Sequence, residues 1–299
     1  MLRDPEPRPP AETAAATDID LRLGLIGDNI AQSKAPLLHE TAGRLAGLRV
    51  CYERLVPREQ GLDFDDLFAR CAAAGYRGLN ITYPYKEQAA RRVTIDDPLV
   101  RAMGAVNTVT FEPGGARGFN TDYSGFIAAY RQVLGARRAG RVWMIGAGGV
   151  GKAVAFGLLT LGLEALTVLD LDATKAADLA RRLAAAAPGL PVTLAQQAAA
   201  LDGPVDGIVN GTPVGMVGHE GTPLPRAAMR GAAWAFDAIY TPLETQFLRD
   251  AAAEGLAVIG GYELFFHQGV DAWEIFSGRA ADSALLRRSL AEAGAGPAG

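Results

Sequence analysis

The chain has 299 residues, 49% hydrophobic and 21% charged. At roughly 100–200 residues per domain this makes two domains, and it excludes a single small module and a largely disordered chain. A formal net charge of −4 lacks the positive excess that displaces counterions from a phosphate backbone, so nucleic acid is not an expected partner.

Cys51 and Cys71 stand far apart with no CxxC and no histidine cluster beside them. Neither a metal site nor a disulfide framework is expected, and a reducing compartment fits. No apolar run is long enough to span a bilayer, and the Pro-rich start lacks an apolar targeting segment. The sequence therefore predicts a cytoplasmic protein without a membrane partner, with residues 1–18 a disordered tail.

After that tail, apolar runs closed by Gly, Asn or Pro alternate with segments of helical period, the pattern of an α/β protein with parallel sheets crossed by helices. Strands are expected at about 21–27, 49–56, 78–82 and 105–111, with helices near 36–47, 59–74 and 86–91. A second series, at about 141–145, 165–170, 190–193, 205–209, 234–239 and 256–259, builds a second sheet of Rossmann-like type. From Gly261 onward the chain reads as two helices with no following strand, which must return to the first domain. The expected division is a substrate-binding domain of residues 19–121 plus 261–299 and a dinucleotide-binding domain of residues 122–260.

Gly146, Gly148 and Gly151 form a G-x-G-x-x-G, filled in by Ala147, Gly149 and Val150, directly after an apolar strand and at the head of a helical run. The glycines permit a tight turn, close approach to a pyrophosphate and close packing of helix on strand, while the helix N-terminus supplies partial positive charge. Asp170 falls at the end of the next strand, where a carboxylate accepts both ribose hydroxyls of NAD. A 2′-phosphate about 4 Å from it would cost ~4 kcal/mol per charge pair at an effective dielectric of 20. NAD is therefore expected over NADP. Asp172 adds negative charge and Leu171 offers no guanidinium, whereas Lys175 works in the other direction. Helix capping by Asp170 and Asp172 is the simpler alternative.

Four polar clusters end strands or open loops in the first half: Ser33 to Pro36, Asn80 to Lys86, Gly104 to Thr108 and Gly118 to Asp122. The carboxyl ends of strands in an open sheet converge on one crevice, so Asn80, Thr82 and Lys86 share it, with Asn107 and Asp122 joining. A lysine oriented by an aspartate is a suitable acid/base pair for hydride transfer.

These motifs, with the stretch from Asn210 to Met216 and the segments around Tyr240 and Gln268, resemble the shikimate dehydrogenases, in particular the NAD-linked quinate/shikimate branch, over about residues 21–280. The resemblance implies reversible oxidation of the C3 hydroxyl of shikimate or quinate with a nicotinamide as hydride acceptor. Lys86 and Asp122 match the family's catalytic pair. Asn107 and Thr82 match groups that hydrogen-bond ring hydroxyls, and Ser33, Tyr240 and Gln268 match contacts to carboxylate and ring. Thr212, Val214, Met216, Ile239 and Gly261 fall where relatives line the nicotinamide pocket. A small-molecule cyclitol carboxylate is the implied substrate, handled by a monomer or homodimer.

Two departures bear on the substrate. Relatives carry a hydroxyl residue at the position of Ala35, where it helps bind the carboxylate, and Phe265 replaces an aliphatic residue in the Gly261–Gly269 motif. They motivate an alternative, a dehydrogenase of an amino-substituted relative such as aminoshikimate. A non-catalytic NAD-binding sensor is a further alternative, against which the presence of both Lys86 and Asp122 speaks. His267 is read as structural.

Overall fold

The structure is a computed structural model that describes residues 19–294 and residue 296. The expected tail at 1–18 lies outside these residues. In chain order the elements of the first half are β1 (Leu21–Ile26), α1 (Ala35–Leu45), β2 (Val50–Leu55), α2 (Phe64–Ala73), β3 (Gly78–Ile81), α3 (Lys86–Ala90), α4 (Pro98–Met103), β4 (Thr108–Glu112), β5 (Gly115–Phe119) and α5 (Thr121–Leu134). There follow β6 (Gly140–Ile145), α6 (Gly149–Thr160), β7 (Leu163–Leu169), α7 (Ala173–Ala186), β8 (Val192–Ala195), β9 (Gly207–Asn210), β10 (Trp234–Asp237), α8 (Gln246–Ala253) and β11 (Ala257–Ile259). Two helices, α9 (Gly261–Ser277) and α10 (Ser283–Glu292), close the chain. Among the described residues no helix is long and apolar enough to cross a membrane.

The first sheet has the order β2-β1-β3-β4-β5. Its first three strands are parallel, but β4 runs antiparallel to β3 and to β5, so the sheet is mixed rather than wholly parallel. The hairpin partner β5 was not expected. Its five residues, two of them glycines and one Arg117, show no apolar alternation. Strand β4 starts later than expected because Ala105 to Asn107 form a connection in which Val106 N–H donates to Lys86 O and Asn107 N–H to Phe119 O. The expected helix at 59–74 is shorter: Gly61 turns left-handed (φ 65°), and Asp63 caps α2 by accepting from Asp66 N–H at 2.8 Å. Helices α4 and α5, absent from the expectation, are capped by Asp97 and Asn120.

The second sheet has the order β11-β10-β9-β6-β7-β8 and is parallel throughout. From β6 the chain winds outward to β7 and β8, then returns to β9 on the other side, so the switch point lies between β6 and β9. The expected strands at 190–193 and 205–209 sit about two residues later, starting at Val192 and Gly207. A core of β6, β7, α5 and α6 side chains, among them Phe126, Tyr130, Val142 and Phe156, fills one face.

Helix α9 packs against the first half. Its Phe266, Val270 and Trp273 pack with Leu38 of α1 and Leu286 and Leu290 of α10. Its Leu264 joins the core of the second sheet, so α9 is buried against both halves.

Candidate active site

Lys86 opens α3 and Asp122 lies in the first turn of α5. The Lys86 ammonium donates to Asp122 Oδ2 at 2.5 Å, with both side chains about nine-tenths buried. Local chemistry fixes each partner. Asn120 caps α5 through Tyr123 N–H at 3.1 Å and donates from Nδ2 to Ala105 O at 3.0 Å, which ties the helix start to the Gly104–Thr108 connection. Placing Asp122 at the helix N-terminus favours its negative charge.

Asn107 joins this pair through its carbonyl, which accepts from Thr121 N–H at 2.7 Å, Thr121 Oγ1 at 3.2 Å and Thr108 Oγ1 at 3.1 Å. Its Nδ2 makes no hydrogen bond to a described residue. Gln268 Oε1 lies 3.5 Å from Thr121 Oγ1, competing with Asn107 for its one hydroxyl proton, while Gln268 Nε2 donates to Phe265 O at 2.9 Å. Gly125 makes this possible: a Cβ there would come within 2.6 Å of Gln268 N, so only glycine lets α5 approach α9 so closely.

Asn80 lies on β3, two residues before Thr82. It is buried, its carbonyl accepts from Tyr52 Oη at 2.7 Å, and its amide donates to Thr108 Oγ1 at 3.2 Å and Asn107 O at 3.4 Å. Its hydrogen bonds link it to Asn107 and Thr108, beside the Lys86–Asp122 pair. Tyr52 was missed because its role depends on a strand distant in sequence. Thr82 follows β3 and packs beside Gly27 at the end of β1, where a Cβ would come within 2.3 Å of Thr82 Cγ2. The loop from Gly27 leads to Ser33, whose Oγ accepts from Ala35 N–H at 3.2 Å and whose backbone O accepts from Arg54 Nη2 at 2.8 Å. The Ser33 hydroxyl proton remains available to an anion, and Ala35 supplies no second hydroxyl. Tyr240 reaches toward α9 from the other half and stacks on Phe265, with ring centroids 5.3 Å apart. Burial raises its phenol above the usual range.

In the second half the glycine turn lies at the sheet's switch point. Gly146 has φ 100° and a Cβ there would lie 2.6 Å from the Gly211 carbonyl carbon; a Cβ on Gly151 would lie 2.2 Å from Gly146 O. A Cβ on Gly148 would meet nothing within 4 Å. Gly148 caps the twelve-residue α6 without a side-chain hydrogen bond. The N–H groups of that first turn, reached through Ala147, Gly149 and Val150, therefore face an open cradle suited to a pyrophosphate. The residues present fit a dinucleotide. Asp170 accepts from Ala147 N–H at 2.6 Å and Asp172 N–H at 2.8 Å, which holds its carboxylate at the rim of the turn. Asp172, not Asp170, caps α7, accepting from Thr174 N–H at 3.0 Å. Lys175 lies 3.7 Å from Asp172.

Asp237, unremarked in the sequence, organises the remaining cofactor-side loops. Fully buried, it accepts from Asn210 Nδ2 at 3.0 Å, Ile239 N–H at 3.1 Å and Thr245 Oγ1 at 2.5 Å. Burial pushes its pKa up to about 6. Asn210 in turn accepts from Thr212 Oγ1 at 2.7 Å and donates to Val214 O at 3.1 Å. Met216 is partly exposed at the end of this loop, and Ile239 packs near Gly215. Gly261 begins α9 against the carbonyls of Ala238 and Ile239, 2.5 Å from where its Cβ would be. The two halves meet at the reactive pair: a Cβ on Gly149 would lie 3.6 Å from Lys86 Cδ.

An α/β substrate half carrying a lysine–aspartate pair, set against a half with a dinucleotide turn, defines a nicotinamide-type oxidoreductase. Residues 25–109 match the family model for the shikimate dehydrogenase substrate binding domain. The chain is 38% identical to the NADP-linked shikimate dehydrogenase of Arthrobacter sp. (strain FB24), with 90% of this chain and 94% of the relative covered. It is 37% identical to the NAD-linked quinate/shikimate dehydrogenase of Corynebacterium efficiens, covering 90% and 96%. The structure of quinate dehydrogenase from Corynebacterium glutamicum in complex with NAD superposes with a TM-score of 0.85 at 34% identity, covering 91% of this chain and 99% of that one. The chain belongs to the shikimate dehydrogenase family and is an oxidoreductase.

Proposed function

We propose that this enzyme catalyses the reversible NAD-linked oxidation of the C3 hydroxyl of shikimate, quinate or both, in the cytoplasm. The observation that carries this reading is the buried Lys86–Asp122 pair, 2.5 Å apart, beside Gly149 of the dinucleotide turn, where an added Cβ would lie 3.6 Å from Lys86 Cδ. A nicotinamide bound along that turn supplies the hydride acceptor. In the forward direction Lys86, as the neutral amine, takes the proton leaving the substrate hydroxyl while the hydride leaves the same carbon, and in reverse the ammonium so formed returns that proton, with Asp122 keeping the amine aimed at that oxygen. The Asn107 amide and the Thr82 hydroxyl bind the ring hydroxyls, and Ser33, Tyr240 and Gln268 hold the carboxylate and the ring edge. A polyhydroxylated ring needs this many partners, since each buried polar group left unpaired costs ~1–3 kcal/mol.

NAD is preferred over NADP in this reading because Asp170, fixed by two backbone N–H groups, stands where a 2′-phosphate would sit. Support comes from the NAD-linked Corynebacterium relatives, while the NADP-linked relative makes the preference a matter for measurement. Residues 122–260 form the dinucleotide-binding domain in this reading, and residues 19–121 with 261–299 the substrate-binding domain, with Asp122 and Tyr240 reaching the substrate across their junction and Gly261 meeting the cofactor. The test is a panel of shikimate, quinate and amino-substituted analogues, each with NAD and NADP, followed by nicotinamide absorbance. Turnover of shikimate or quinate with NAD is expected. Turnover of the amino analogues alone overturns the substrate, and efficient use of NADP overturns the cofactor assignment.

A further inference from the structure

Lys152 follows the last glycine of the turn, a position from which a lysine would ordinarily be assigned to the cofactor phosphates. The structure points it elsewhere. Lys152 is 5% exposed, and its ammonium donates to Glu87 Oε1 at 2.5 Å and Asp178 Oδ2 at 2.7 Å. Glu87 stands next to Lys86 on α3, and Gly149, one turn before Lys152 on α6, lies beside the Lys86 stem, an added Cβ there falling 3.6 Å from Lys86 Cδ. Two consecutive residues of the substrate half thus meet two residues on one face of α6. Behind them Asp178 accepts from Arg182 Nε at 2.8 Å and pairs with Arg181, and Arg182 Nη1 reaches Ala102 O of α4 at 3.3 Å.

A buried ammonium is held in place by its partners, because desolvation makes any geometry that loses one of them costly. Asp178 has two arginines besides Lys152 and keeps its charge well below the usual carboxylate range with their help. Glu87 has the opposite situation: its side chain is about half exposed, and Lys152 is its ion-pair partner across the junction. The Glu87 arm is therefore the part of the cluster that acts on the substrate half and can be removed without stranding a buried charge.

We propose that Glu87 and Lys152 are positioning residues, an ionic clasp between α3 and α6 that fixes the Lys86 amine relative to the nicotinamide end of the cofactor. The inference rests on the role given above to Lys86. It is tested in the full chain with Glu87→Gln, Lys152→Met and the double variant. Expected is a fall in kcat of about tenfold for each single variant and no further fall in the double, with KM for both substrates within about threefold. The primary deuterium isotope effect on kcat, measured with substrate deuterated at the oxidised carbon, rises as the chemical step slows. Thermal midpoints of Glu87→Gln stay close to the parent, and amide exchange of α3 in the ligand-free protein becomes faster. Unchanged kcat, additive single effects, or a loss of activity that only follows a loss of folded protein overturns the clasp. A parent enzyme inactive on the whole panel refutes the Lys86 reading instead, while amide exchange of α3 in Glu87→Gln still decides the clasp: unchanged exchange removes it.

Discussion

The substrate half and the cofactor half solve the same problem, holding polar groups rigid in a buried site, with opposite electrostatics. Beneath the substrate cleft the polar cluster is uncharged: Tyr52, Asn80, Thr108, Asn107 and Thr121 pass hydrogen bonds toward the Lys86–Asp122 pair. His39 stacks on Tyr52 with ring centroids 5.0 Å apart, and burial pushes its pKa down to about 3, so it too is neutral. Under the cofactor loops the hub is a carboxylate, Asp237, with three donors around it. Neutral partners suit a site that must admit a pair of reacting charges, whereas a single buried carboxylate has enough acceptor capacity to order several loops at once.

Removing charge from the reactive pair gives the sharpest break. Lys86→Ala is expected to lower kcat by at least ~10²-fold with a much smaller change in KM, because acid–base groups act mainly in the transition state. Asp122→Asn should fall comparably, and the double variant should be no worse than the lysine variant alone. Unchanged turnover in Lys86→Ala would remove it from the mechanism.

On the cofactor side the parent enzyme should favour NAD over NADP by ~10²-fold in kcat/KM, about 2.7 kcal/mol. Asp170→Ser with Leu171→Arg should narrow or reverse that ratio, since it removes the repulsion and supplies a guanidinium. A ratio indifferent to the change would free Asp170 of any role in selection. The substrate side should respond less. Ala35→Ser restores a hydroxyl beside Ser33 and is expected to lower KM for shikimate by about tenfold with kcat within a few-fold, since anchoring is shared by ground and transition states. If KM rises, or no carboxylate substrate improves, the pocket recognises another group there.

The smallest effects are on stability, and they run in opposite directions. His39 has a folded pKa below its ordinary 6.5, so its contribution is present above that value and is lost as pH falls toward about 3. Asp237 has a folded pKa above its ordinary 3.8, so its contribution is complete below that value and is lost as pH rises through about 6. Thermal midpoints of His39→Leu and Asp237→Asn, each compared with the parent between about pH 5 and pH 7.5, should therefore drift oppositely. The histidine variant gains on the parent toward acid and the aspartate variant toward neutral pH, by about 2–4 °C per kcal/mol of linkage. Parallel or flat differences would show that these two groups do not distinguish the halves.

Features that depend on neighbours in sequence were legible from the start. The glycine turn after β6, the two helices from Gly261 and the α/β alternation each follow from short-range pattern, where backbone freedom and helical period leave their mark within about ten residues. The family motifs carried Lys86, Asp122 and Asn107, but not what surrounds them. The hairpin strand β5 was invisible because a short, glycine- and arginine-bearing segment has no apolar alternation. Tertiary structure alone tied Asn80 to Tyr52 and Asn107, gave Asp237 its three donors, and paired Lys152 with Glu87. Each of these depends on a partner in a different segment, and whether a polar side chain faces a ligand or a buried neighbour is decided by which strands lie side by side, a property that local sequence does not encode.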